Sequence, residues 1–261
     1  MSDAPTLLID SSDAQITRLT LNRPAKRNAL NIATLTALTQ AVTAAAADLN
    51  RRVVILAGAG PIFCSGLDLA EAADPNQTHA SAQALRDAYF AIASSPLITI
   101  AAVQGGALGG GVGLVAACDL AVAEEDVQIA FPEVRRGIIA AVVTALLRRQ
   151  LGDRSARELI LLGQSIDAAR AATLGIINRI APKGFALARA ESLAQEALLA
   201  APGSVMRTKK LLDKLAPRPL EQDLAIALEM HLSARNSPEF AEGLNAFKEK
   251  RPPKWGPRPA N

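Results

Sequence analysis

The chain has 261 residues, half of them apolar and a fifth charged, which is enough to bury one large core. A formal net charge of +3 implies no polyanion partner by itself, and 3% aromatic residues leave few rings for nucleic-acid bases to stack on. Two cysteines, Cys64 and Cys118, are too few for a disulfide framework and form no Cys-x-x-Cys pair.

The first residues, MSDAPTLLIDSSD, carry acids and no long apolar run, so no signal peptide is expected. Ile16 to Leu21 alternates and predicts a strand, ended by Asn22-Arg23-Pro24. Asn31 is placed to cap a helix whose apolar face runs Leu35, Leu38, Val42, Ala45 and Leu49. Val53 to Ala57 is an unbroken apolar run closed by Gly58, as in a strand buried on both faces. A helix over Ala80–Ala93 ends at Pro96, and Leu97 to Val103 is the next buried strand. Leu97 to Cys118 is uncharged over 22 residues, but its six glycines and Gln104 favour a strand and glycine turn over a membrane span. A cytoplasmic protein is therefore expected. A helix over Gly109–Ala117 and strands over Asp119–Ala123 and Val127–Phe131 follow. Beyond them the pattern is mostly helical: Ala140–Gln150, Asp153–Leu162, a helix–strand piece through Ile176, then Lys183–Ala200, Val205–Leu215, Leu220–Arg235 and Glu239–Lys250. Alternating strands and helices followed by helices predict an α/β core over 1–200 and a C-terminal helical segment with a basic tail over 201–261.

Two small-residue turns sit beyond buried strands: Phe63-Cys64-Ser65-Gly66-Leu67-Asp68 and Gly105-Gly106-Ala107-Leu108-Gly109-Gly110-Gly111. Backbone N–H groups at such turns can converge into an oxyanion hole, although from spacing alone a plain tight turn is the simpler reading. Gly111 to Ala116 matches G-x-G-x-x-A, but too far beyond its strand for a dinucleotide site. The histidines, His79 and His231, are far apart in sequence, a Cys64–His79 pair is conceivable, and no metal-ligand spacing occurs. Asp68 and Glu71 read as backbone-capping or surface groups, and Asp119 as the end of a helix–strand junction. Glu133 follows a strand in an otherwise apolar stretch, VQIAFPEV. Burial there would raise its pKa toward that of a general acid/base; a solvent-facing loop glutamate is the plainer alternative.

Jointly, three motifs in order and spacing resemble the crotonase (enoyl-CoA hydratase/isomerase) superfamily, from about Thr6 to Trp255: LNRPAKRNALN at Leu21–Asn31, PIFCSGLDLAE at Pro61–Glu71, and AAVQGGALGGGVGLVAACDLAVA at Ala101–Ala123 followed by FPEVRRGI. The C-terminal AEGLNAFKEKRPPKW adds a fourth. The resemblance implies an α/β spiral of repeated ββα units with C-terminal trimerising helices, and a homotrimer or hexamer. It implies an acyl-CoA substrate, with no nucleic acid, membrane or metal partner and no cofactor beyond the coenzyme A of the substrate. The oxyanion hole would be the N–H groups of Leu67 and Gly110, and Glu133 the acid/base. Lys26, Arg27 and Ala29 would lie by the coenzyme A phosphates and adenine, with Phe247 and Lys250 helping to hold the cofactor moiety, often from the neighbouring subunit.

One departure stands out. Family hydratases commonly carry a second glutamate three residues beyond the oxyanion-hole glycine, and here that position is Gly113. Ile138-Ile139-Ala140-Ala141 also replaces the usual glycine-rich turn, which implies an altered acyl pocket. The expected reaction is hydration of a 2-enoyl-CoA by a single glutamate. Double-bond isomerisation by Glu133 alone and coenzyme A thioester binding with little catalysis are the alternatives.

Overall fold

The computed structural model describes residues 4–253, so Lys254, Trp255 and the rest of the tail lie outside the described residues. In chain order the elements are β1 (Leu7–Asp10), β2 (Ile16–Leu21), α1 (Ile32–Ala47), β3 (Val53–Gly58), α2 (Leu69–Ala72) and α3 (Thr78–Ala93). Next come β4 (Ile98–Val103), β5 (Gly106–Leu108), α4 (Gly110–Ala117), β6 (Leu120–Glu124), β7 (Gln128–Ala130), α5 (Ala141–Gln150) and α6 (Asp153–Leu162). β8 (Ser165–Asp167), α7 (Ala168–Leu174), β9 (Arg179–Ala181), α8 (Ala186–Leu198), α9 (Pro202–Leu215), α10 (Leu220–Arg235) and α11 (Pro238–Lys248) complete the chain.

The larger sheet has the order β1-β2-β3-β4-β6-β9, parallel throughout except for β1, and a second sheet has the order β5-β7-β8. β4 sits in the first sheet and its successor β5 in the second; β6 and β7 repeat the step. The turn after β3 reaches the second sheet through a Cys64–Ala107 bridge beside β5. Each repeat thus gives one strand to each sheet before its helix, the ββα spiral that the resemblance implies.

The unbroken apolar runs follow from this layering, because successive side chains point to opposite faces and both faces are covered. Val54, Leu56, Ala101 and Val103 join the main core with α1, α3 and α4, while Val53, Ile55, Ile100 and Ala102 pack on the other face with Ala190, Leu193 and Ala194 of α8. Asn31 caps α1, its side chain accepting the Thr34 N–H at 3.0 Å. Leu49 corrects the expected apolar face: α1 ends at Ala47, and Leu49 is 98% exposed beyond it.

Other differences have simple causes. β1 lies on the sheet edge with only Leu7 of its four residues buried, so its pattern carries little signal. β5 is built from Gly106, Ala107 and Leu108, which read as a turn because small residues there make room for β7. The uncharged stretch 97–118 divides into β4, β5 and α4. Among the described residues no helix is long and apolar enough to cross a membrane.

Candidate active site

The two glycine turns lie side by side. A Cβ added to Gly66 would come 2.8 Å from the Leu108 carbonyl and 3.3 Å from the Gly110 nitrogen. Gly66 has φ +91 and Gly109 has φ +48, conformations that side chains other than hydrogen adopt only with strain. Gly109 is the N-cap of α4, so the Gly110 N–H is one of the helix's unspent first-turn donors. Leu67 is fixed by a parallel bridge to Leu30. Neither the Leu67 nor the Gly110 N–H is taken up by a carbonyl or side chain among the described residues. The two donors line one small cavity, about 40 Å³, together with Glu133.

Glu133 stands in the short 3-10 helix Pro132–Arg136 that follows β7. Pro132 at the start of that turn fixes the chain direction out of the strand. The carboxylate rests against Gly109: a Cβ there would lie 3.1 Å from Glu133 Cδ and closer still to Oε1. Oε2 is buried and has no partner among the described residues. Desolvation pushes the pKa up to about 7, partly opposed by a backbone hydrogen bond at Glu133 and by the Arg136 guanidinium. An acid of that pKa, buried beside two free N–H groups, can carry a proton at neutral pH.

α11 closes over this turn. A Cβ on Gly137 would run into the Glu239 carbonyl, and one on Gly243 into the Arg136 carbonyl, so glycine on each side permits the contact. Phe240, Gly243 and Ala246 form the buried face of α11. Phe247 lies off that face, 53% exposed, with Arg136 stacked 5.6 Å from its ring centroid. Lys26 and Arg27 are exposed and Ala29 half-buried on the turn after β2, next to Leu30 and its bridge to Leu67. Lys250 is exposed just past α11.

Over this geometry, the chain matches the family Enoyl-CoA hydratase/isomerase across residues 11–258. The chain belongs to that family. It is 38% identical over 242 residues to a putative enoyl-CoA hydratase of Thermus thermophilus, covering 90% of this chain and 95% of that one. It is 37% identical over 252 residues to enoyl-CoA hydratase domain-containing protein 2 of Bos taurus, a mitochondrial protein, covering 92% and 84% respectively. Among solved structures it is similar to an enoyl-CoA hydratase from Mycobacterium avium, with a TM-score of 0.86, 32% identity, and coverage of 97% and 100%.

Position 113, where the family resemblance expects a second glutamate, has no room for a side chain. A Cβ there would lie 2.7 Å from Cε2 of Tyr89 and closer still to Cζ and the hydroxyl. Tyr89, the chain's one tyrosine, is fully buried on α3 and donates its hydroxyl to the Gly110 carbonyl at 2.7 Å. Burial holds that phenol well above its ordinary pKa, so it stays a neutral donor. The sequence held a clue in an isolated tyrosine on an otherwise aliphatic helix face, but nothing that located its partner.

The remaining polar residues are mostly structural. Asp68 caps α2 and pairs with Arg23 at 2.9 Å; Glu71 accepts the Ile32 N–H at 2.8 Å. Asp119 ties the start of β4 to α9, accepting from Thr99 N at 2.8 Å and Lys209 Nζ at 2.6 Å. Cys64 is buried, its Sγ donating to the Asn28 carbonyl at 3.2 Å, and its pKa is pushed up to about 12; His79 is exposed on α3, so the two form no nucleophilic pair. Asn28, which the sequence did not single out, donates to the carbonyls of Ala59, Ile62 and Phe63 and so fastens the 23–29 turn to the first glycine turn. Among the described residues no group of three or more His, Cys, Asp or Glu could hold a metal.

A wider opening, about 1590 Å³, lies between α4–α5 and helices α9–α10. It meets the Glu133 cavity only at Ile139, Ala140 and Ala141, which form the shared wall. It holds neither the glutamate nor the two donors.

Proposed function

We propose that the protein hydrates a short 2-enoyl-CoA with Glu133 as its only acid/base. The observation that supports this is the shared cavity: a buried carboxylate with pKa about 7 beside the free N–H groups of Leu67 and Gly110. The thioester oxygen accepts both N–H bonds, which hold charge better there than in water. Glu133, ionised, takes a proton from water, and the water oxygen bonds to C3. The C2–C3 π pair moves toward the thioester oxygen as an enolate. Protonated Glu133 then returns the proton to C2, which restores the carboxylate. Tyr89 fills the place of a second acid/base, whose loss costs roughly a factor of 10² to 10⁴, so turnover is slow.

In this reading Lys26 and Arg27 supply charge-assisted bonds to the coenzyme A phosphates, Ala29 borders the adenine, and Phe247 and Lys250 help hold the same moiety. Coenzyme A is part of the substrate, and no other cofactor takes part. Segment 201–261 joins copies into a homotrimer or hexamer, which would cover Leu211, Leu212 and Leu215 of α9, now 54%, 65% and 73% exposed. We place the protein in the cytoplasm.

The names of the relatives favour hydration over proton transfer between carbons 2 and 4. Incubation with paired 2-enoyl- and 3-enoyl-CoA esters separates the readings. Hydration adds one water in mass and removes the conjugated absorbance. A change in conjugation at constant mass would mean isomerisation, and no change in either would mean a binding protein.

A further inference from the structure

His231 does not belong to the catalytic apparatus, yet it lines the same cavity as Glu133. It sits on α10, which packs against α3 and α5, and is only 4% exposed. Its Nε2 is buried and finds no partner among the described residues. The ring's other hydrogen bond goes to the backbone at Ile139, part of the cavity wall. That bond favours the protonated ring, so its acceptor is a carbonyl; with Nε2 unpartnered, the donor is assigned as Nδ1–H, which leaves the lone pair on Nε2.

Charge decides what such a group can do. Desolvation first, then the nearby Arg235 guanidinium, depress the His231 pKa to about 4. At neutral pH the ring is uncharged, a weak base and no acid at all, whereas Glu133 at about 7 is tuned for proton transfer. Arg235, one turn further along α10, engages Ser81 Oγ at 3.1 Å and the Thr78 carbonyl at 3.4 Å. His231 is therefore a fixed hydrogen-bond acceptor in an apolar wall of Leu69, Leu85, Ile138 and Val142. A carboxylate against Nε2 would meet lone pair with lone pair unless the ring were protonated, which its surroundings oppose; Arg136, the cation lining the same cavity, already faces Glu133. A hydroxyl donates without any change of charge.

We propose that His231 selects, through Nε2, a short acyl chain carrying a hydroxyl group near its end. The cavity of about 40 Å³ holds on the order of three water-sized groups, which suits a short chain. An acceptor left bare against an alkyl tail loses its hydrogen bond, and that loss is the source of discrimination. The inference rests on the acyl-CoA reading of the site and names its substrate class.

The test compares 4-hydroxy-2-butenoyl-CoA with 4-fluoro-2-butenoyl-CoA, and the 5-substituted 2-pentenoyl pair, because fluorine nearly matches hydroxyl in size but cannot donate. Calorimetric affinities are measured in Glu133→Gln, where no turnover intervenes, and kcat/KM in the wild type. The hydroxyl ester of at least one pair binds about three- to tenfold more tightly, as one neutral hydrogen bond allows. In Glu133→Gln/His231→Phe the ratio falls to about one, and His231→Gln, which can still accept, keeps part of it. A melting curve confirms that each variant folds; if the Phe variant does not, the Gln variant's ratio decides. Equal affinities for both pairs, as expected if Nε2 merely holds a water, overturn the proposal, and so does a preference that survives His231→Phe. If the wild type hydrates no ester while the binding ratio follows His231, the hydratase reading fails and this one stands. If no ester binds, both fail.

Discussion

Replacing Gly113 with alanine adds one carbon where Tyr89 already sits. The new Cβ would lie 2.7 Å from Tyr89 Cε2, with Cζ and the hydroxyl closer still, against the 3.4 Å or more of ordinary contact. The tyrosine ring must move by about 1 Å or more in a site where every residue of α4 is buried. Overpacking of this kind costs about 1–3 kcal/mol, and loss of the Tyr89 hydroxyl bond to the Gly110 carbonyl adds about 1 kcal/mol. For a chain of 261 residues that lowers Tm by roughly 4–8 °C. Because Gly110 is the residue displaced with the ring, turnover of 2-butenoyl-CoA falls as well. Thermal unfolding and steady-state kinetics on Gly113→Ala, Tyr89→Leu and the double variant form a cycle. The smaller side chain at 89 vacates the contested volume, so the double variant should be at least 1 kcal/mol more stable than the sum of the single effects predicts. A Gly113→Ala protein with wild-type Tm, or strictly additive effects, would show that Tyr89 does not fill this space.

The other expectations concern the Glu133 proton. The base must be ionised for hydration, so kcat/KM rises with pH along an acid limb centred near 7, the folded-state pKa; a limb near 4.5 would mean an exposed carboxylate. Stability carries the opposite sign. Below 4.5 the acid is protonated in both states, whereas between 4.5 and about 7 only the folded state keeps the proton, so the wild type loses stability as pH rises through that window. Glu133→Gln lacks this dependence, so its stability relative to wild type improves by roughly 3 kcal/mol from pH 4.5 to pH 8; parallel denaturant curves at the two pH values would contradict the assignment.

The parts of the fold readable in the sequence were those with strong local signals. β2 alternates, β3 and β4 are apolar runs because both sheet faces are covered, and Asn31 advertises the start of α1. The weak signals were lost: β1 at an edge, β5 in three small residues, and Leu49 just past its helix. At the candidate site, the glycines and Glu133 were visible because their residue types are those the proposed chemistry needs. Tyr89, Asn28 and His231 were not, since each acts on a segment at least 21 residues away and only the folded chain shows what it touches. Gly113 shows this most clearly. The sequence reports a missing carboxylate, while the structure reports that a phenol occupies the volume.

The central claim is that Glu133 alone moves the proton, and the most direct measurement is the product mass formed from 2-butenoyl-CoA by wild type and by Glu133→Gln. Wild-type protein should add one water, while the variant binds the ester with similar affinity and adds none above background. A variant that hydrates at a rate near wild type would contradict the account.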